Sequence, residues 1–168
     1  MNNKILWYGA LRQRRTSMLY LNKRDNKEIY RGFVLSDAHQ ACEKVRMIIS
    51  RIEKTIGINS EQSFDVRVIL SELLQNAIRH GNTSGDPKVY MNVRIKGKDM
   101  LNITVRDRGN GFNACKIMQE EQKRANGKTP DLTECGRGLQ IVKSLCDDIV
   151  FNRRGNCITV RKRLSYQK

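Results

Sequence analysis

Ser71-Glu72-Leu73-Leu74-Gln75-Asn76-Ala77-Ile78-Arg79-His80-Gly81-Asn82 is the stretch on which the reading of this chain turns. Val66, Ile69, Leu70, Leu73, Leu74 and Ala77 recur at helical spacing, which predicts a helix from about Ser60–Ser63 to about His80, stopped by Gly81, Gly85 and Pro87. Glu72 and Asn76 are four positions apart, so they lie within about 40° of one another on that helix. The apolar face centres about 90–130° away, which sets both groups at the margin of the core, where a cleft forms. Taken alone, the same pattern also describes a solvated polar pair.

Working outward, Ile29 to Leu35 predicts a strand. Ser36 and Asp37 offer an N-cap to a helix reaching about Ile56, and Gly57 closes it. On the other side, Val89, Met91, Val93 and Ile95 alternate with Tyr90, Asn92, Arg94 and Lys96. Leu101, Ile103 and Val105 repeat the alternation after Gly97–Asp99, so the two runs make a hairpin. Residues 112–135 have no period and contain Gly127 and Pro130; a connection of that length is expected to be a lid or an unstructured stretch. A helix from about Arg137 to Cys146 and strands over 148–152 and 157–164 complete the order. This order predicts an α/β (α+β) two-layer sandwich, with three helices on one face of a mixed, largely antiparallel sheet. Residues 1–28 form a basic extension, with seven Lys/Arg against two acids, and 29–168 form one domain.

Two further constellations follow the helix. Asp107-Arg108-Gly109-Asn110-Gly111-Phe112 ends a strand. Asp107 shares strand parity with Leu101, Ile103 and Val105, so its carboxylate turns inward and needs a donor. Gly109 and Gly111 let backbone approach a flat ligand, although a plain polar turn has the same composition. Gly136-Arg137-Gly138-Leu139 opens the last helix, where free N–H groups and missing side chains suit an anion. Asn76 and Asp107 are 31 residues apart, and Asp107 and Gly136 are 29 apart. Each interval holds the elements needed to return the chain to a common cleft.

Composition limits the classes of function. With 39% hydrophobic residues and 12 glycines in 168, the chain has a globular composition. Lys and Arg outnumber Asp and Glu 32 to 17, and the net charge of +15 favours anionic partners without choosing among them. The longest N-terminal apolar run, Ile5–Leu11, is far short of the roughly 18 residues that a membrane span requires. Five cysteines (Cys42, Cys115, Cys135, Cys146, Cys157) without CxxC spacing argue against a disulfide framework or a zinc site, and point to a reducing, cytoplasmic setting.

Together, the three segments resemble the GHKL ATPases, which share the Bergerat, histidine-kinase-like nucleotide-binding fold. ELLQNAIRHGN (72–82) matches the family's N-box, DRGNGF (107–112) its first glycine box and GRGL (136–139) its second. Within that superfamily the chain is most similar to bacterial anti-sigma-factor serine/threonine protein kinases, over about residues 29–164. The Thr129–Leu132 stretch ahead of GRGL and the Gly155 turn before a basic last strand strengthen the likeness.

The resemblance implies that Asp107 accepts from the adenine amino group, that Asn76 holds Mg²⁺ against the phosphates of ATP, and that Glu72 is the general base. Gly109 and Gly111 would shape the adenine pocket, and Gly136 and Gly138 would cradle phosphate. Arg79, His80, Gly81, Phe112, Arg137 and Leu139 complete the implied nucleotide-contacting set. The implied partners are a STAS-type anti-anti-sigma protein and a sigma factor. A homodimer is suggested by relatives, and nucleic acid is not expected. One departure stands out: some relatives carry a basic lid residue just before the second glycine box, where this chain has Thr133, Glu134 and Cys135, with Arg124 and Arg137 as substitutes. A weakly catalytic, ATP-responsive binding module for an acidic protein or nucleic acid is the alternative, supported by that departure and by the charge.

Overall fold

Local chemistry sets the element boundaries. The structure, a computed structural model, describes residues 26–35, 37–81, 88–111 and 137–165. It opens with β1 (Asn26–Leu35), three residues earlier than expected, followed by α1 (Ala38–Ile56). Of the two candidate caps, Asp37 does the work: its backbone is extended and its carboxylate accepts from the His39 N–H at 2.8 Å. Ser36 lies outside the described residues. Gly57 ends α1 at φ 62°, a left-handed conformation that glycine takes without strain, and its N–H returns to the Glu53 carbonyl at 2.9 Å. Asn59 then caps α2 (Ser60–Gly81), its Oδ1 accepting from the Gln62 N–H at 2.8 Å. The Ser63 hydroxyl donates to Glu53 Oε1 at 2.8 Å, tying the start of α2 to α1.

The remaining elements are β2 (Lys88–Lys96), β3 (Met100–Arg106), α3 (Arg137–Leu145), β4 (Asp148–Phe151) and β5 (Cys157–Arg163). The five strands form one sheet in the order β1-β2-β3-β5-β4. Every pairing is antiparallel, which corrects the expectation of a mixed sheet. The reason is topological. The connection through α3 returns β4 in the direction of β3, but β5 turns back and inserts between them, so no two parallel strands are neighbours.

The core lies between this sheet and the helices. Ile48, Ile49 and Ile52 of α1 and Ile69, Leu70, Leu73 and Leu74 of α2 bury against Met91, Val93, Ile95, Leu101, Ile103 and Val105. Each fully buried side chain of this size contributes roughly 1.5–3 kcal/mol. The alternation read from β2 and β3 therefore holds on the inner face. It fails on the outer face at Asn92, expected in solvent but only 5% exposed. Asn92 sits mid-sheet between Arg31 and Thr104, and its Oδ1 accepts from Arg94 Nε at 2.6 Å. Long neighbours fold over a central strand and cover a short polar side chain. No helix of the described residues is long and apolar enough to cross a membrane.

Val160 on β5 and Leu164, just past its end, turn inward and are buried. Lys162 lies between them on the same side, 14% exposed, where the pattern calls for an apolar residue.

Candidate active site

The glycines report how closely the sequence segments meet. Glu72 and Asn76 are half-buried on α2, on the shared stripe that their spacing predicts. The first turn of α3 presses against them. A Cβ built on Gly138 would overlap the Glu72 carboxylate, with Glu72 Cδ at 3.3 Å and Asn76 Nδ2 at 3.5 Å. Gly138 is therefore the residue that lets a helix N-terminus, with its unpaired N–H donors, stand beside a carboxylate and an amide. Arg79, seven positions past Glu72, extends the stripe and is exposed.

A second close approach occurs at the end of α2. Gly81 is buried, and a Cβ there would fall 2.6 Å from Asp107 Cβ, so the last residue of α2 must be bare for Asp107 to occupy its place. Asp107 is half-buried, as its strand parity predicted, and its carboxylate accepts the Gly109 N–H at 2.8 Å. Its backbone is clamped by the β4–β5 turn: the Asp107 N–H donates to the Asn156 carbonyl at 3.1 Å, and Asn156 Nδ2 donates to the Asp107 carbonyl at 3.2 Å. Glu72 and Gly81 are about 14 Å apart along α2. That spacing suits an elongated ligand with a ring at the Asp107 end and an anion at the Gly138 end.

The same turn grips the glycine loop at Gly111, which has φ 72°. A Cβ there would overlap the Arg154 carbonyl and come within 3.1 Å of Asn156 N. Gly111→Ala adds a left-handed alanine to a clash with backbone that cannot swing aside. Its expected cost is about 2–4 kcal/mol, measured as a lowered melting temperature and denaturant midpoint.

Two contacts escaped the sequence. Asn156 is not marked by any motif, because its partner Asp107 is 49 residues away. Lys162 was legible in principle, as a charge at an inward position of an alternating strand. Arg137 is exposed and Leu139 half-buried in the first turn of α3, and His80 lies in the last turn of α2. Phe112, Gly136 and the stretch read as a lid lie outside the described residues.

Comparisons with known proteins bear on the family and the fold. Residues 35–162 match the family described as the histidine kinase-like ATPase domain. The chain is similar to the serine-protein kinase RsbW of Oceanobacillus iheyensis, at 29% identity over 65% of this chain and 70% of that one. It is also similar to the anti-sigma F factor of Shouchella clausii, at 26% identity over 73% and 84%. The Bacillus subtilis RsbW is 25% identical over 74% and 79%. Among solved structures, the RsbU and RsbW domains of a Mycobacterium tuberculosis protein superpose with a TM-score of 0.53 at 17% identity. That match covers 82% of this chain and 32% of the other, so the chain spans about a third of that protein. The matched residues run from the end of β1 to β5 and take in Glu72, Asn76, Asp107 and Gly138, and the chain belongs to the histidine kinase-like ATPase family.

Proposed function

We propose that this chain is an Mg-ATP-dependent serine/threonine protein kinase that phosphorylates a STAS-type anti-anti-sigma protein and otherwise sequesters a sigma factor. In this reading residues 29–168 are the catalytic domain and 1–28 an appended basic segment. The observation that carries it is the close approach of Gly138 to both Glu72 and Asn76, which gathers a helix start, a carboxylate and a carboxamide in one place. The names of the relatives, serine-protein kinase and anti-sigma F factor, support the same reading.

The residues present fit ATP and Mg²⁺. The bare Gly138 and Gly81 let the Glu72 carboxylate and Asp107 sit against backbone where a Cβ would stand, and a carboxamide beside a helix start suits a cation that keeps most of its waters. When bound, Mg-ATP supplies the phosphoryl group and the charge neutralisation. The protein positions and polarises. Asp107 would accept from the adenine amino group through its carboxylate. Asn76 offers its side-chain oxygen to Mg²⁺. The N–H groups at the start of α3, at Arg137, Gly138 and Leu139, would bind the phosphates, and Gly136 is assigned to the same role from the sequence. Glu72 takes the proton from the attacking serine or threonine hydroxyl, since phosphoryl transfer needs mainly an aligned nucleophile and a base.

The test is incubation with γ-labelled ATP, Mg²⁺ and cell extract. Label on a serine or threonine of a small protein, abolished by EDTA, is expected; bound ATP with no labelled protein overturns the kinase reading. Gly138→Ala sharpens it. Alanine favours the helix by up to about 1 kcal/mol, so the melting temperature holds. The new methyl must push the flexible Glu72 carboxylate aside, and the transfer rate falls roughly tenfold or more.

A further inference from the structure

The inward charge on β5 has two partners, one on α2 and one at the end of α3. Lys162 Nζ lies 2.9 Å from Asp65 Oδ2, near the start of α2, and donates to the Leu145 carbonyl at 2.8 Å, at the last residue of α3. Both side chains are largely covered, at 14% and 21% exposed. The chain just beyond α3 is stitched to the same strand: the Asp147 N–H donates to the Arg161 carbonyl at 2.8 Å, and Asp147 Oδ2 accepts from the Arg163 N–H at 2.5 Å.

We infer that Lys162 is a positioning residue for nucleotide phosphate, fixing α3 along α2 so that Gly138 meets Glu72 and Asn76. The inference rests on the nucleotide site proposed above. The two helices run past one another so that the end of α3 is level with Asp65 and its start with Glu72 and Asn76. α3 has nine residues, about 13 Å, and is a stiff rod over that length. At its start it presents a bare glycine to α2, a contact that permits close approach without locking it, while Val142 packs into the core farther along. At its end a single ammonium holds the Leu145 carbonyl and the Asp65 carboxylate together, and so links the terminal carbonyls of α3 to α2. Without that ammonium, the Asp147 bonds and the buried Val142 still hold α3 to the sheet and core. The polar tie from its end to α2 is gone, so it can shift against α2, and the displacement is delivered at the phosphate end of the site. The purine end is spared, because Asp107 is fixed by Gly81 and Asn156, neither of which touches α3 in these contacts.

The experiment compares wild type with Lys162→Met, Lys162→Arg and the double variant Lys162→Met/Asp65→Leu. It measures affinity for Mg-ATP and for adenosine, the transfer rate, and the melting temperature. Lys162→Met is expected to weaken Mg-ATP binding about tenfold relative to adenosine and to slow transfer roughly 100-fold, the scale of a misplacement near 1 Å. Lys162→Arg restores most of the transfer. Should the single variant fail to fold, because Asp65 is left as an unpaired buried charge, the double variant removes both charges and still lacks the hold on Leu145. Equal losses for Mg-ATP and adenosine, or wild-type transfer by Lys162→Met, overturn the inference. A wild type that binds Mg-ATP but transfers nothing overturns the kinase reading alone, and the ratio of the two affinities still decides Lys162. A wild type that binds neither ligand overturns both.

Discussion

Glu72→Gln binds ATP like wild type and transfers phosphate roughly 10²–10⁴-fold more slowly, the usual contribution of a positioned base. Glutamine keeps the length and polarity of glutamate, so the packing against Gly138 survives. It has no proton affinity to offer a hydroxyl. Because Glu72 is half-buried at the edge of the core rather than part of it, stability changes by no more than about 0.5 kcal/mol. Single-turnover transfer alongside equilibrium ATP binding checks the pair of outcomes. Transfer at the wild-type rate removes Glu72 from the chemistry, and loss of binding would mean that it holds nucleotide instead.

Asp107→Asn acts at the other end of the cleft and on the opposite quantity. The amide oxygen keeps the bond from the Gly109 N–H, and the backbone bonds to Asn156 do not involve the side chain, so the loop stays in place. What changes is the side chain's chemistry toward adenine, because one carboxylate acceptor becomes an NH₂ donor set against the adenine amino donor. Two donors brought together without an acceptor cost about 1–3 kcal/mol, or roughly 5- to 150-fold in affinity. Calorimetry with ATP and with GTP tests this. The variant loses ATP selectivity, because the 6-oxo group of guanine accepts where the amino group of adenine donates. Undiminished ATP binding sinks the assignment of Asp107 to the purine.

Much of this site was legible because its parts are local. Asp37 and Gly57 punctuate α1 with their own side chains and torsions. The four-residue step from Glu72 to Asn76 fixes a shared stripe, and the parity from Leu101 to Asp107 turns a carboxylate inward before any contact is known. What was not legible depends on distant partners. The antiparallel sheet required knowing that β5 enters between β3 and β4, which element order does not state. Asn92 is buried on an interior strand where Arg94 of the same strand folds back onto it, and the alternation alone gives it the pattern of a solvent residue. Asn156 and Lys162 act on atoms 49 and 17 residues away, across a turn and a helix end. The three glycines at positions 81, 111 and 138 were readable as small residues, but the identity of what each one admits came only from the fold.

The insertion of β5 also orders events in time. Ribosomes deliver Cys157–Arg163 after the other four strands of the sheet, yet this strand occupies an interior slot, bonded on both edges. Until it arrives, β3 presents an open edge, β4 has no neighbour and the Asp107 loop has no clamp, so a partly made chain holds the local motifs without the pocket. Long-range pairing of this kind makes assembly slow relative to helix formation, and competence to grip a nucleotide comes as one of the last acts of folding.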